Sequence, residues 1–121
     1  MNIITSKLVK EAVQSYPNEC CGVLLGNRTS CEIQDIRPLN NAAGKTRTLT
    51  HFKISPLDVY QVEREIEGSD LEIVGFYHSH PDCEAIPSKE DSEYMVPGLV
   101  YIILSVTSTG VVDIRCYKKN Q

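Results

Sequence analysis

An unbroken apolar run at residues 73–77 leads directly into His78-Ser79-His80-Pro81. A strand that is apolar at successive positions is buried on both faces, so this run predicts a central strand at residues 71–80. Because side chains alternate along a strand, His78 and His80 point to the same side of the sheet. Pro81 cannot donate a backbone hydrogen bond, and it therefore ends the strand. The sequence thus predicts a sheet whose middle strand ends in two histidines.

Two longer helices are predicted before this strand. Apolar residues at helical spacing predict the first at residues 5–16, with Thr5 or Ser6 as its cap. The second helix has Ser55 as its N-cap, and Asp58 forms a capping-box-like pair with it. Pro56 suits the first helical position, and Gly68 suits the left-handed position after the end.

The remaining strands follow from apolar runs and alternating segments, at residues 18–26, 31–38, 51–54, 99–106 and 111–117. Alternation in the last segment places Val112, Ile114 and Cys116 on one face. Polar and small residues at 39–50 have no period and predict a surface loop. Strands interspersed with helices predict an α/β (α+β) fold, in which helices cover one sheet.

Length, charge and composition narrow the class of protein. A chain of 121 residues suits a single domain, residues 1–121, with one hydrophobic core. The net charge of −4 argues against nucleic-acid binding, which requires a basic face. No apolar run approaches the roughly 20 residues of a membrane helix, and the sequence shows no export signal. We therefore expect a cytoplasmic protein whose five cysteines are reduced thiols.

The polar residues after the central strand have the composition of a metal site. Ser88 opens a short helix at residues 88–96, which places Asp91 at the third helical position, facing the helix start. Positions two apart on a strand lie roughly 6.5 Å from each other along it, so His78 and His80 can lean toward one ion. Two histidines and one carboxylate leave a tetrahedral corner open for water, as in catalytic zinc sites.

Hydrolysis at such a site needs a proton acceptor and a group that stabilises the oxyanion. Glu19, at the start of a predicted strand, is the candidate general base, and Ser88 can offer its hydroxyl to the oxyanion. A purely structural interpretation remains open, because Ser88 and Asp91 also form an ordinary capping box. A glutamate beside a strand is also commonly solvated.

The whole pattern resembles a known signature. His78-x-His80-Pro81, six residues and then Ser88-x-x-Asp91 match the JAMM motif of the MPN-domain metalloproteases, and Glu19 matches the separate glutamate of that family. The resemblance implies one zinc ion per chain, held by His78, His80 and Asp91. It also implies Glu19 as general acid and base, and Ser88 as oxyanion support. The fold it implies is a curved mixed sheet with packed helices, similar to cytidine deaminases.

The resemblance extends to the small prokaryotic branch, through Asn40, Phe52, Pro56 and residues 73–75. It implies a partner, a ubiquitin-like sulfur-carrier protein with a Gly-Gly C-terminus, cleaved after those glycines at an isopeptide, peptide or amide bond. The loop at residues 39–50 is the expected substrate flap. One alternative is a non-catalytic MPN-type scaffold, although scaffolds of the family usually lack the metal ligands. A zinc hydrolase of a nucleobase is disfavoured, because the Pro-Cys-x-x-Cys motif of deaminases is missing.

Overall fold

The computed structural model describes residues 2–30, 32–39 and 54–119. Within these residues the chain forms three helices and five strands. In chain order they are α1 (Ile3–Ser15), β1 (Cys21–Asn27), β2 (Glu32–Leu39), α2 (Pro56–Ile66), β3 (Glu72–Pro81), α3 (Lys89–Tyr94), β4 (Val100–Thr107) and β5 (Gly110–Lys118). The predicted α/β organisation is confirmed. The predicted strand at 51–54 and most of the predicted loop at 39–50 lie outside the described residues, as do His51 and Cys31.

The five strands form one mixed sheet in the order β2-β1-β3-β4-β5. Strand β3 pairs with β1 in antiparallel fashion and with β4 in parallel fashion. It is therefore the middle strand, as its unbroken apolar run predicts. Strand β3 ends at Pro81, where the sequence places the end of the ladder.

Helices cover both faces of the sheet. Helix α1 packs on one face through Leu8 and Ala12, while α2 packs on the other through Val62. The first cluster also contains Leu24 and Tyr77, and the second contains Val23, Leu25 and Ile73. In the described part of the chain, no helix combines the length and apolar character needed to cross a membrane.

A bulge in β3 sets the face on which its second half displays side chains. Leu24 pairs with Gly75 whereas Leu25 pairs with Ile73, so Val74 is an extra residue on β3. Because of this extra residue, Ile73 and Phe76 pack in the same cluster, although they are three positions apart. Alternation from Phe76 onward then directs His78 and His80 to the face that α2 covers.

One predicted helix cap is wrong, and a second has the predicted position without the predicted side-chain contact. Helix α1 begins at Ile3, two residues earlier than predicted, because the Asn2 side chain accepts a hydrogen bond from the Thr5 backbone N–H at 2.8 Å. Helix α2 begins after Ser55 as predicted, but the Ser55 side chain makes no capping hydrogen bond, so the predicted pair with Asp58 does not form. Gly68 has a φ of 83° after the helix end, as predicted.

The predicted apolar face of the last strand is also wrong. Ser105 pairs with Asp113 but Val106 pairs with Val111, so Val112 is an extra residue and leaves the alternation. Val112 is 62% exposed, while Val111 packs against the core cluster under α1. The alternation of the sequence alone carries no sign of this bulge.

We expect Gly75→Ala to destabilise the protein by about 1–3 kcal/mol, because overpacking against fixed atoms forces the backbone to shift. A Cβ atom at Gly75 would lie 1.8 Å from the Val100 carbonyl oxygen on the adjacent strand. Gly68→Ala is the matched control, since nothing lies within 4 Å of its Cβ and only its positive φ is strained. Chemical denaturation measures both. A smaller loss for Gly75→Ala than for Gly68→Ala would contradict the packing described here.

Candidate metal centre

Three potential ligand atoms converge beyond the end of β3. The Nε2 atoms of His78 and His80 lie 3.0 Å apart, and Oδ2 of Asp91 lies 3.2 and 3.1 Å from them respectively. They are the members of the one group in the described residues whose His, Cys, Asp or Glu atoms could hold a metal ion. The predicted convergence of two imidazoles and a carboxylate is therefore present in the structure.

The central strand positions both histidines. His78 lies opposite Cys21 of β1 and Ile103 of β4, and only 3% of it is exposed. His80 lies opposite Ser105 of β4, closer to the strand end. Strands on both sides of β3 hold the backbone at His78, and β4 holds it at His80, so the imidazoles project from a rigid element.

The N-terminus of α3 positions Asp91. The Ser88 hydroxyl oxygen accepts a hydrogen bond from the Asp91 backbone N–H at 3.0 Å, and the Ser88 backbone N–H donates to Asp91 Oδ2 at 2.9 Å. This reciprocal pair is a complete capping box. The same carboxylate oxygen also faces both imidazoles, so the structural and the ligand interpretations of Ser88 and Asp91 are compatible.

A backbone carbonyl selects the tautomer of His80. Nδ1 of His80 lies 2.8 Å from the Glu84 carbonyl oxygen, which can only accept, so Nδ1 carries the proton and donates it. In the neutral imidazole this leaves the Nε2 lone pair directed toward Asp91 and His78. Carbonyl groups orient metal-bound histidines in the same way.

Burial and hydrogen bonding perturb all three side chains. Burial lowers the pKa of His78, which favours its neutral form. Burial opposes ionisation of Asp91, but the hydrogen bonds with His78 and His80 outweigh it and hold its pKa well below the usual range. For His80, burial is outweighed by the Asp91 hydrogen bond, the Glu84 carbonyl and the charges of Asp91 and Glu19, so its pKa is raised.

Glu19 is a buried carboxylate on the adjacent chain segment, two residues before β1. It is 7% exposed. The ladder between β1 and β3 continues past Cys21, because Ser79 N–H donates to the Cys20 carbonyl and Cys20 N–H donates to the Ser79 hydroxyl. Alternation then places Glu19 on the same face as His80, and its charge is close enough to act on that imidazole. The structure thus brings Glu19 to the histidines.

Sequence reasoning missed the side chains that hold the loop at residues 82–87. The Tyr16 hydroxyl donates to the Asp82 carboxylate at 2.9 Å, and Asp82 N–H donates to the Val106 carbonyl at 2.7 Å. The Ser105 hydroxyl donates to the Cys83 carbonyl, and the Tyr117 hydroxyl donates to the Ala85 carbonyl. Tyr16 ends a helix while Ser105 and Tyr117 lie in strands, and nothing in the spacing of these three residues marks them as partners of this loop.

The donor set fits a divalent metal. Atoms bound to zinc at about 2.0–2.2 Å in a tetrahedron lie roughly 3.3–3.6 Å from one another. The three measured separations, 3.0 to 3.2 Å, are only slightly shorter. Two nitrogen lone pairs and a carboxylate oxygen repel one another at these distances unless a proton or a cation lies between them. Imidazole and carboxylate ligands suit zinc in particular.

Comparison with known proteins agrees with this geometry. The family model described as prokaryotic homologs of the JAB domain matches residues 2–117. The chain belongs to this family. Its fold is therefore the JAB1/MPN fold, as the resemblance implies.

Several relatives of this JAB-domain chain carry the names of hydrolytic enzymes. A desampylase of Haloferax volcanii is 36% identical over 103 residues, which are 84% of this chain and 73% of the relative. A CysO-cysteine peptidase of Mycobacterium bovis is 29% identical over 116 residues, 95% of this chain and 77% of the relative.

Solved structures show the same fold. The solution structure of a protein from Desulfitobacterium hafniense superposes with a TM-score of 0.71 at 24% identity and covers 97% of this chain and 89% of its own. A JAB1/MPN domain protein of Archaeoglobus fulgidus gives a TM-score of 0.59 at 17% identity, covering 95% and 83% respectively. At these identities the likeness concerns the fold alone.

We expect Ser88→Ala to destabilise the metal-free protein by about 1 kcal/mol, because the mutation removes the cap of α3. Ser92→Ala in the same helix is the matched control, since the Ser92 side chain lies beyond the cap and is exposed. Chemical denaturation in the presence of a chelator measures both variants. Equal losses for the two serines would show that the capping hydrogen bond contributes little.

Proposed function

We propose that the protein is a zinc-dependent metallopeptidase that cleaves after the C-terminal Gly-Gly of a ubiquitin-like sulfur-carrier protein. The observation that carries this proposal is the convergence of His78, His80 and Asp91 beside the buried Glu19. The hydrolase class follows from the family and from relatives named as a desampylase and a CysO-cysteine peptidase. The metal, the residue roles and the substrate are proposed here.

His78, His80 and Asp91 would hold one zinc ion per chain. Both imidazoles can present unprotonated Nε2 atoms, since burial favours neutral His78 and the Nδ1–H group of His80 donates its hydrogen bond to the Glu84 carbonyl. The Ser88 backbone N–H donates to Asp91 Oδ2, which favours the ionised carboxylate. When bound, zinc acts as a Lewis acid and lowers the pKa of water to about 7.

Glu19 would act as the general base and then as the general acid. Its carboxylate lies on the face that carries the histidines and is shielded from bulk water, which strengthens its interactions with a nearby proton donor. It takes a proton from the attacking water at its carboxylate oxygen and later donates it to the leaving amine. The adjacent residue Cys20 is fixed to β3 through two hydrogen bonds with Ser79, which anchors the backbone from which the Glu19 side chain projects.

Ser88 would stabilise the oxyanion that develops on the scissile carbonyl. Its oxygen already accepts the Asp91 backbone N–H, but its hydroxyl hydrogen can still donate. Ser88 is exposed at the start of α3, next to the proposed ligand Asp91. A substrate carbonyl at the site can therefore approach this hydroxyl from solvent.

We propose a flexible glycine tail as the part of the substrate that enters the site, and the names of the relatives support this choice. The named relatives act, by their names, on a CysO-cysteine species or as a desampylase. We therefore propose a ubiquitin-like carrier, whose Gly-Gly end reaches the ligands in an extended conformation. The bond cleaved joins this end to cysteine, to a peptide or to a lysine side chain.

Metal analysis tests the ligand assignment. We expect the zinc-reconstituted protein to bind about one zinc per chain and the double variant His78→Ala/His80→Ala to bind none, because one carboxylate alone holds zinc weakly. Asp91→Ala should also lower the affinity by about tenfold or more. Asp113→Ala is the control, because Asp113 pairs with Arg115 on β5. Stoichiometric zinc in the double variant would exclude these ligands.

Substitution of the proposed base tests the mechanism. We expect Glu19→Gln to retain zinc and to lose cleavage by roughly 10²–10⁴-fold, since an amide cannot accept the proton. Glu63→Gln, an exposed glutamate of α2, is the control. Mass spectrometry of Gly-Gly carriers bearing cysteine or peptide extensions measures the product. A fully active Glu19→Gln enzyme would remove Glu19 from this role, and a wild type that shortens no carrier would favour a scaffold.

A further inference from the structure

Three successive carbonyl groups of the loop after β3 each accept a hydrogen bond from a side chain of the sheet. The Cys83 carbonyl accepts from Ser105 of β4, the Glu84 carbonyl from His80 of β3, and the Ala85 carbonyl from Tyr117 of β5. Only the middle contact involves a proposed zinc ligand. The two outer contacts use hydroxyl groups that have no part in the proposed mechanism.

The middle contact needs an accurately oriented backbone. The Glu84 carbonyl holds the proton on Nδ1 of His80 only while it points at that ring, at the observed 2.8 Å. Cys83 and Glu84 are both exposed, so packing of their own side chains does little to fix this stretch of backbone. Packing of the buried Ala85 holds one side of the Glu84 carbonyl, and hydrogen bonds to the two neighbouring carbonyls can fix its orientation further.

The two outer hydroxyls are placed to hold those planes. Ser105 is 5% exposed and lies directly opposite His80 in the β3–β4 ladder, so its hydroxyl and the imidazole rise from adjacent strands. Tyr117 reaches the Ala85 carbonyl from β5, two strands from β3. The loop is thus fixed one residue before and one residue after the carbonyl that contacts His80.

We propose that Ser105 and Tyr117 are positioning residues that raise the zinc affinity of the site by orienting the Glu84 carbonyl toward His80. This proposal rests on the proposed zinc function. In this proposal the sheet supplies three side-chain donors to successive carbonyls of the loop: Ser105, His80 and Tyr117. The middle donor, His80, is also a proposed metal ligand. Loss of an outer hydroxyl frees the loop to rotate, so His80 spends part of its time in an orientation or tautomer that cannot bind metal.

The test compares zinc affinities of variants that lose one hydroxyl. We expect Tyr117→Phe and Ser105→Ala each to weaken zinc binding by about 3–10-fold and the double variant by more, since outer partners of metal ligands contribute roughly 10–100-fold. Competition with a chromophoric chelator measures the affinity. Tyr60→Phe is the matched control, because the Tyr60 hydroxyl accepts a hydrogen bond from Arg64 on the exposed side of α2, away from the loop. Ser105→Thr keeps a hydroxyl donor and should restore the affinity.

A second readout separates positioning from general stability. In the zinc-loaded protein, nuclear magnetic resonance should show faster exchange of the His80 Nδ1 proton with water in Tyr117→Phe than in wild type or Tyr60→Phe. Unfolding of the metal-free variants gives the structural contribution. Unchanged zinc affinity and unchanged proton exchange, even with lower thermal stability, would overturn the proposal. Equal weakening by Tyr60→Phe would also overturn it.

The outcome is distinguishable from a failure of the proposed function. If the wild type binds no zinc, the proposed function fails and this inference fails with it. If the wild type binds zinc but cleaves no carrier, the ratio of variant to wild-type affinity still decides the role of Ser105 and Tyr117. If the wild type binds and cleaves while the variants bind as tightly, only the positioning role is wrong.

Discussion

One carboxylate oxygen, Oδ2 of Asp91, joins the parts of the site that arise from separate elements. It faces Nε2 of both histidines of β3 and accepts the backbone N–H of Ser88 at the start of α3. Helix α3 has only six residues, too few to be stable without support from the rest of the protein. Its cap and its contact with β3 therefore support each other. A cation between these ligands would strengthen the same contact, which couples metal binding to the stability of this region.

The position of the site also depends on the bulge in β3. If β3 were regular, residues three apart would face opposite sides, and Ile73 could not share a cluster with Phe76. The histidines would then project toward α1 rather than toward the face that carries α2. The extra residue Val74 shifts the alternation of side chains, so the residues after it, including both histidines, point to the opposite face from the one a regular strand would give. Gly75, with no side chain against the Val100 carbonyl, permits the close pairing with β4 at this point.

The sequence predicted those parts of the structure that depend on interactions between residues close together in the chain. The apolar run predicted the middle strand, the i, i+2 spacing predicted that His78 and His80 share a side, and the Ser88 capping box placed Asp91. The first cap was wrong because Asn2, Thr5 and Ser6 are all good cap residues and tertiary packing chooses among them. The contacts of Ser105 and Tyr117 with the loop could not be predicted, because they join residues 22 and 32 positions apart. The bulge at Val112 is likewise a product of pairing between strands, which one strand does not encode.

The directions of β1 and β3 explain why Glu19 lies on the same side of the sheet end as the histidines. Because β1 runs antiparallel to β3, the residues that precede β1 lie beside the end of β3. The parallel neighbour β4 brings Ser105 to the same end from the other side. Ligand sites gather at the ends of central strands for this reason: several chain segments meet there while the sheet keeps each backbone fixed. A buried carboxylate lies on one side of the histidines and a hydroxyl-anchored loop on the other. The proposed ligands from β3 and α3 are therefore flanked by groups whose backbones the sheet holds in place.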